Sequence, residues 1–317
     1  MFTIQHTNTL FPQYQTLFQR KPTTIPTFGI RSLKRLQDLP IDLSTIAAYK
    51  LPSMPPWLCR MPTLCFSLHT GNKTNANPAF LKQSFYQLLS VYNNFVQIYT
   101  DGSKEENCVA AAMVCRRSLV TARLPDYASI YSAESHAILL ALEFIEMYDS
   151  SRFVIFSDSL SCLQAINNAK WSNALVCSIL EKCHVLALAE KEIHFCWVPS
   201  HVGITGNERA NVEAKAALNF PVSDCRVPHT DYKQVVSSNL RKLWQSQWDQ
   251  VIFNNLWAIK KTIGDIRFKG ITKHRDEFVL HRAHIGHTHL THCYLLKAED
   301  QPLCEFVIVH YLCNIFL

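Results

Sequence analysis

The central part of this chain predicts an α/β fold, a five-stranded mixed sheet with helices on both faces. Two observations carry that expectation. Three apolar runs of strand length follow one another between residues 95 and 124, and helical and strand patterns then alternate to residue 218. Strands in direct succession pair antiparallel, whereas strands separated by a helix pair in parallel, so one sheet must hold both kinds. In addition, 48% of the residues are hydrophobic, enough to bury a core behind such a sheet.

Taken in order, residues 1–60 are rich in proline and polar residues, with basic patches at Arg20-Lys21 and between Arg31 and Arg35. The run Leu51-Pro52-Ser53-Met54-Pro55-Pro56-Trp57 cannot continue a helix, because proline lacks the amide donor and restrains its predecessor. Phe80, Phe85, Leu88 and Leu89 keep helical spacing over Pro78 to Tyr92. Phe95 to Thr100 is the first strand; Ala110 to Cys115 and Leu119 to Leu124 are the next two, with a turn at Arg116-Arg117-Ser118. Ser132 is the expected N-cap of a helix carrying Glu134, Ala137, Ile138, Ala141, Leu142 and Ile145. Arg152 to Phe156 is the fourth strand, Leu160 to Asn168 and Asn173 to Ala189 are helices, Glu192 to Val198 is the fifth strand, and Asn207 to Leu218 is an alanine-rich helix. Beyond it, Val236, Leu240, Leu243, Trp244, Trp248, Val251 and Ile252 mark an amphipathic helix.

A length of 317 residues leaves room for about two domains. The formal charge of +6 is mild and by itself selects no nucleic-acid partner. None of the 12 cysteines forms a Cys-x-x-Cys pair, and Met1 to Pro12 contains no apolar signal run, so reduced thiols and an intracellular, cytoplasmic or nuclear, non-secreted location are expected. The longest apolar stretch, Phe306 to Leu317, is interrupted by His310 and Asn314 and is shorter than the roughly 20 residues of a spanning helix. No membrane partner is expected.

Chemistry concentrates at element ends. Asp101 closes the first strand, Asp158 closes the fourth, and Glu134 stands in the first turn of the intervening helix. Parallel neighbours would bring the two aspartates to one sheet edge, where open α/β sheets place their sites. Three carboxylates there repel one another unless a cation lies between them, and oxygen-only donors suit magnesium or manganese. His201 follows in Trp197-Val198-Pro199-Ser200-His201-Val202-Gly203, a loop framed by Gly203 and Gly206.

These residues resemble the type 1 ribonuclease H family over about Phe95 to Asn219. The matching blocks are Tyr99-Thr100-Asp101-Gly102-Ser103, Ala133-Glu134, Ser157-Asp158-Ser159 and Ser200-His201-Val202-Gly203 with Gly206-Asn207-Glu208-Arg209-Ala210. The resemblance implies a ribonuclease H-like fold. It also implies a metal-dependent endonuclease that cuts the RNA strand of RNA–DNA hybrids to leave 5′-phosphate and 3′-hydroxyl ends. Two Mg2+ ions, with Mn2+ as substitute, would be held by Asp101, Glu134, Asp158 and the residue at 211. His201 would serve catalysis, and Gly102, Ser103, Ser159 and Asn207 would meet substrate, the first two near a ribose 2′-hydroxyl. The flanks Leu51 to Leu58, Ile285 to Thr288, Leu290 to His292 and Tyr294 to Lys297 are similar to those of jockey-like non-LTR retrotransposon polyproteins. On that likeness 1–94 is a linker downstream of a missing reverse transcriptase, 95–219 is the ribonuclease H domain, and 220–317 is a helical tail with a truncated zinc-like segment.

Two departures temper the reading. Asn211 stands where the family carries its last aspartate; an amide oxygen can ligate but brings no charge, and Glu208, three residues earlier, could reach the site. A weakened nuclease is therefore expected, with a catalytically silent nucleic-acid-binding remnant as the alternative. Cys304, His310 and Cys313 are too few for the Cys-x-x-Cys…His…Cys segment that follows in those polyproteins, and the histidine tract His281, His284, His287, His289 and His292 lacks supporting ligands, so no zinc site is expected.

Overall fold

The computed structural model describes residues 28–39, 42–47, 55–69 and 77–251, with residues 257, 261–264, 275–276, 278–279 and 282. The histidine tract, the Cys304–Cys313 segment and the flanking motifs from 285 onward lie outside the described residues, as do Arg20, Lys21 and 51–54. Contacts divide the chain into two units, residues 1–235 and 236–317.

In chain order the elements are α1 (Phe28–Gln37), β1 (Ile46–Ala47), β2 (Thr63–Cys65), α2 (Pro78–Val91), β3 (Val96–Glu105), β4 (Cys108–Cys115), β5 (Ser118–Leu124), α3 (Ile130–Met147), β6 (Arg152–Ser157), α4 (Leu160–Asn167), α5 (Ala174–Leu188), β7 (Glu192–Trp197), α6 (Thr205–Ala217), β8 (Val227–Pro228) and α7 (Lys233–Asp249). Short 3-10 turns lie at Leu43–Thr45 and Pro56–Leu58. The fold is the mixed α/β sheet of the ribonuclease H-like type, with strand order β2-β7-β6-β3-β4-β5. β3, β4 and β5 run antiparallel as a meander, and β3, β6, β7 and β2 run parallel. A separate two-stranded pair joins β1 and β8 in parallel. Among the described helices none is long and apolar enough to cross a membrane.

The main sheet holds six strands where five are expected. The sixth, β2, pairs Thr63, Leu64 and Cys65 with His194, Phe195 and Cys196. Three residues behind Pro62 are too few to show a period of two, so the sequence pattern is silent there; in the structure they cover the open edge of β7.

β3 departs more consequentially. The strand expected to close at Asp101 stays in the ladder through Gly102 and Ser103, continues to the pair Glu105–Cys108 and turns only at Glu106, with φ +49°. Asp101 therefore sits mid-strand rather than closing it. It is the first residue after parallel pairing with β6 ends at Thr100–Ser157, and Asp158 is the first residue beyond β6.

α3 begins earlier than expected. Ser129, not Ser132, is the cap, its Oγ accepting from the Ser132 amide, while the Asp231 carboxylate accepts from the Ser129 amide at 3.0 Å and hydroxyl at 3.1 Å. Glu134 consequently lies in the second turn, away from the helix terminus. Both faces of the sheet are covered because alternate residues of β3 point opposite ways. Gly102 faces the α3 backbone, and Tyr99 faces Gly206 of α6. Ala110, Ala111 and Ala112 of β4 are fully buried, and their small side chains let helices approach closely. The main core gathers around Phe85, Phe153, Phe156 and Phe195. Burying such phenylalanines contributes roughly 1.5–3 kcal/mol each.

Candidate active site

The site grows from the point where β3 and β6 part. Thr100 and Ser157 are partners across that junction, so the following residues, Asp101 and Asp158, stand side by side. Glu134 reaches the same place because Gly102 has no side chain. A Cβ at Gly102 would lie 2.6 Å from the Glu134 amide nitrogen and 2.9 Å from Ala133. The Gly102 backbone beside it favours the ionised form of the Glu134 carboxyl. One carboxylate oxygen from each of Asp101, Glu134 and Asp158 lies within 4.8 Å of the others.

Asp101 is 6% and Glu134 9% exposed, and the charges weigh on one another. Burial, with Asp158 and Glu208 adding, pushes the Asp101 carboxyl up to about 8, against a pull downward from Lys215. Burial, then Asp101 and Asp158, raises Glu134 well above the carboxylate range. Asp158 is raised by burial too, while the Asn207 amide and His201 act the other way. Glu134 Oε2 and Asn207 Oδ1 are buried with no protein partner. Orphaned acceptors and three mutually repelling carboxylates match the donor set of an oxygen-liganded divalent cation. The residues present thus fit the metal site that the sequence suggests.

Around the triad the chain fixes orientation. Asn207 Nδ2 donates to Asp158 Oδ2 at 3.3 Å. Trp197 Nε1 donates to the Asp158 carbonyl at 3.1 Å. His201, exposed and with φ +56°, has Nδ1 4.0 Å from Glu208 Oε2, and Glu208 Oε1 accepts from the Gly203 amide at 3.4 Å. Gly206 belongs to α6 rather than to the loop; a Cβ there would fall 2.3 Å from the Tyr99 ring. Ser103 is buried, and Ser159 begins α4 with its amide donating to Ser157 Oγ at 3.2 Å.

Asn211 is placed by how α6 lies on β3. Gly206 meets Tyr99, and Ala217 packs with Ala110, the ladder partner of Ser103. Asp101 is midway between Tyr99 and Ser103, as Asn211 is midway between Gly206 and Ala217. Asn211 is also one turn from Asn207, which holds Asp158, and one turn from Lys215, whose charge acts on Asp101. The helix therefore carries Asn211 to the flank of the triad.

The sequence reading missed Trp197, Lys215 and the seating of Tyr99 under Gly206. Trp197 had a usable signal, since it ends the strand whose last residue pairs with Ser157. Lys215 had one in its four-residue spacing from Asn211.

Comparison with known families agrees with this geometry. The RNase H family model matches residues 93–219. No curated protein matches the chain. Residues 93–219 form an RNase H domain, of a family of nucleases acting on RNA–DNA hybrids, and its buried acidic triad can hold a divalent metal.

Proposed function

We propose that this chain is a ribonuclease H, cutting the RNA strand of RNA–DNA hybrids at the Asp101–Glu134–Asp158 edge. The observation that carries the reading is the convergence of two buried carboxylates and a half-buried third, each pushed up in pKa, with an orphaned Glu134 oxygen among them. Asp101, Glu134 and Asp158, with the Asn211 amide beside them, would hold two Mg2+ ions, or Mn2+. Bound there, such ions supply Lewis acidity for the attacking water and charge stabilisation for the leaving oxygen.

The rest is done by the chain itself. Trp197 holds the Asp158 main chain through its carbonyl, and Asn207 holds the Asp158 carboxylate. Gly102 lets α3 come close enough to present Glu134. His201, on an exposed loop near Glu208, is positioned to move a proton as product forms and leaves. Ser103, Ser159 and the Gly102 backbone border the edge on which a ribose would lie.

We further propose residues 95–219 as the catalytic domain, residues 1–94 and 220–317 as flanking segments of a retroelement polyprotein, and a cytoplasmic or nuclear setting. The nine free cysteines among the described residues suit a reducing compartment.

Asn211 favours a second reading, in which hybrid is bound but not cut. The two are separated by cleavage of a labelled RNA–DNA hybrid in Mg2+ and in Mn2+, with Asp101→Asn as the inactive control. Cleavage that rises in Asn211→Asp supports the weakened nuclease. A folded chain that binds hybrid and stays inert even as Asn211→Asp supports the silent binder.

A further inference from the structure

We propose that Lys82, outside the matched domain, is a phosphate-binding residue that holds a backbone phosphate of the nucleic acid beside the acidic edge. The inference rests on the hybrid-nuclease reading above and adds to it a contact from the preceding segment.

Three observations place the ammonium there. α2 is anchored on the core: Asn77 caps it at 2.9 Å, and Phe85, 1% exposed, packs edge-on against Phe156 with centroids 5.4 Å apart. Phe156 lies in the strand that delivers Asp158. Lys82, one turn before Phe85, puts its Nζ 3.2 Å from where a Gly203 Cβ would stand, and Gly203 has φ +80°. The left-handed glycine thus leaves the space that the lysine fills, two residues from His201.

Lys82 is half-buried and forms no ion pair with a carboxylate among the described residues. A lysine held in this way, with no carboxylate partner among the described residues, has its charge available to a phosphate. Two of the three lysines within 165–191, Lys182 and Lys191, are differently engaged, and the third, Lys170, is exposed. Lys182 pairs with Glu146 at 3.2 Å and Glu143 at 3.7 Å, and Lys191 donates to the Ile145 and Tyr148 carbonyls at the end of α3. Phosphate neutralisation is the main source of hybrid affinity. A nucleic acid lying across the edge between Asp158 and His201 would meet Lys82 on the loop's far side. His69 shows that the same preceding segment reaches this edge, its ring meeting Trp197 edge-on at 5.3 Å.

The test uses the full chain in an Asp101→Asn background, which stops turnover, and a fluorescently labelled RNA–DNA hybrid, with Kd measured by anisotropy over a series of KCl concentrations. Lys82→Ala should weaken binding about three- to tenfold and reduce the slope of log Kd against log salt by about 0.7–0.9, the loss of one phosphate contact. Lys82→Arg should keep both. In the Asp101-containing chain, Lys82→Ala should raise KM while leaving kcat within about twofold, as loss of uniform binding requires. Lys82→Gln, which keeps the aliphatic stem, replaces the alanine variant if thermal unfolding shows that one disrupted. An unchanged Kd and salt slope overturns the proposal alone, as does a weaker Kd with an unchanged slope. A parent chain that binds no hybrid overturns the function reading and this proposal together.

Discussion

Replacing Asp101 by asparagine should abolish cleavage and yet stabilise the metal-free protein at neutral and alkaline pH. The Asp101 carboxyl is raised to about 8 from an ordinary 3.8. Between those values the folded protein keeps a proton that the unfolded chain has released. The folded state then binds more protons, so stability falls as pH rises through the window and the loss is complete above about pH 8. Four units at about 1.4 kcal/mol each set an upper limit near 5–6 kcal/mol, and relaxation of the site with water entry brings the expected effect to about 2–5 kcal/mol. Asparagine carries no charge to desolvate and escapes this cost. Urea unfolding followed by circular dichroism in EDTA should show Asp101→Asn more stable than the parent by that amount at about pH 8.5, and by no more than about 1 kcal/mol at about pH 4. Added Mg2+ should stabilise the parent and leave the variant little changed, because only the native triad gathers the cation. A difference between the two proteins that is the same at both pH values would refute the argument, since it would mean that Asp101 is not held protonated by its surroundings.

Gly102→Ala should cost about 1–3 kcal/mol and weaken divalent-ion binding, because its Cβ would lie 2.6 Å from the Glu134 amide and push α3 off the sheet; chemical unfolding and calorimetric metal titration read the two effects. Gly206→Ala should cost about 1–3 kcal/mol, because Tyr99 is stacked on Phe156 and cannot retreat, and should cost much less in a Tyr99→Ala background, a coupling that a double-mutant cycle measures. Lys215→Gln should raise divalent-ion affinity about two- to fivefold at low salt, since it removes the cation that acts on Asp101, and the gain should shrink as KCl is added.

Legibility in the sequence followed the strength of local pattern. The buried runs of β4, β6 and β7 and the long helices α3 and α5 could be read within a few residues, because apolar periodicity dominates there. The misplaced features are those where a local signal and a tertiary one compete. Asp101-Gly102-Ser103 looks like a turn in isolation, but seven ladder pairs with β4 keep it extended. Ser132 looks like a cap, but Asp231, about a hundred residues away, fixes Ser129 in that role. β2 has no legible period at all and exists because β7 offers an edge. The acids were visible for a different reason: a strand end, a helix and a neighbouring strand end leave few places for three carboxylates except together.

The balance of charge at that edge follows from one helix. α6 sets Asn207 and Lys215 two turns apart along β3, with Asn211 between them, so the groups seen to act on the triad are an amide and an ammonium. Asn207 stabilises the ionised form of Asp158 by donating to it, and Lys215 does the same for Asp101 through space. Neither adds negative charge, so the attraction for a divalent ion rests on Asp101, Glu134 and Asp158, with Glu208 the nearest further carboxylate on the helix. Glu208 is also tied to the His201 loop through the Gly203 amide. Drawing it toward a cation would release that amide and the loop that carries His201. A cation that drew Glu208 would therefore also move the histidine, and Asn211→Asp should weaken that link by supplying the charge directly.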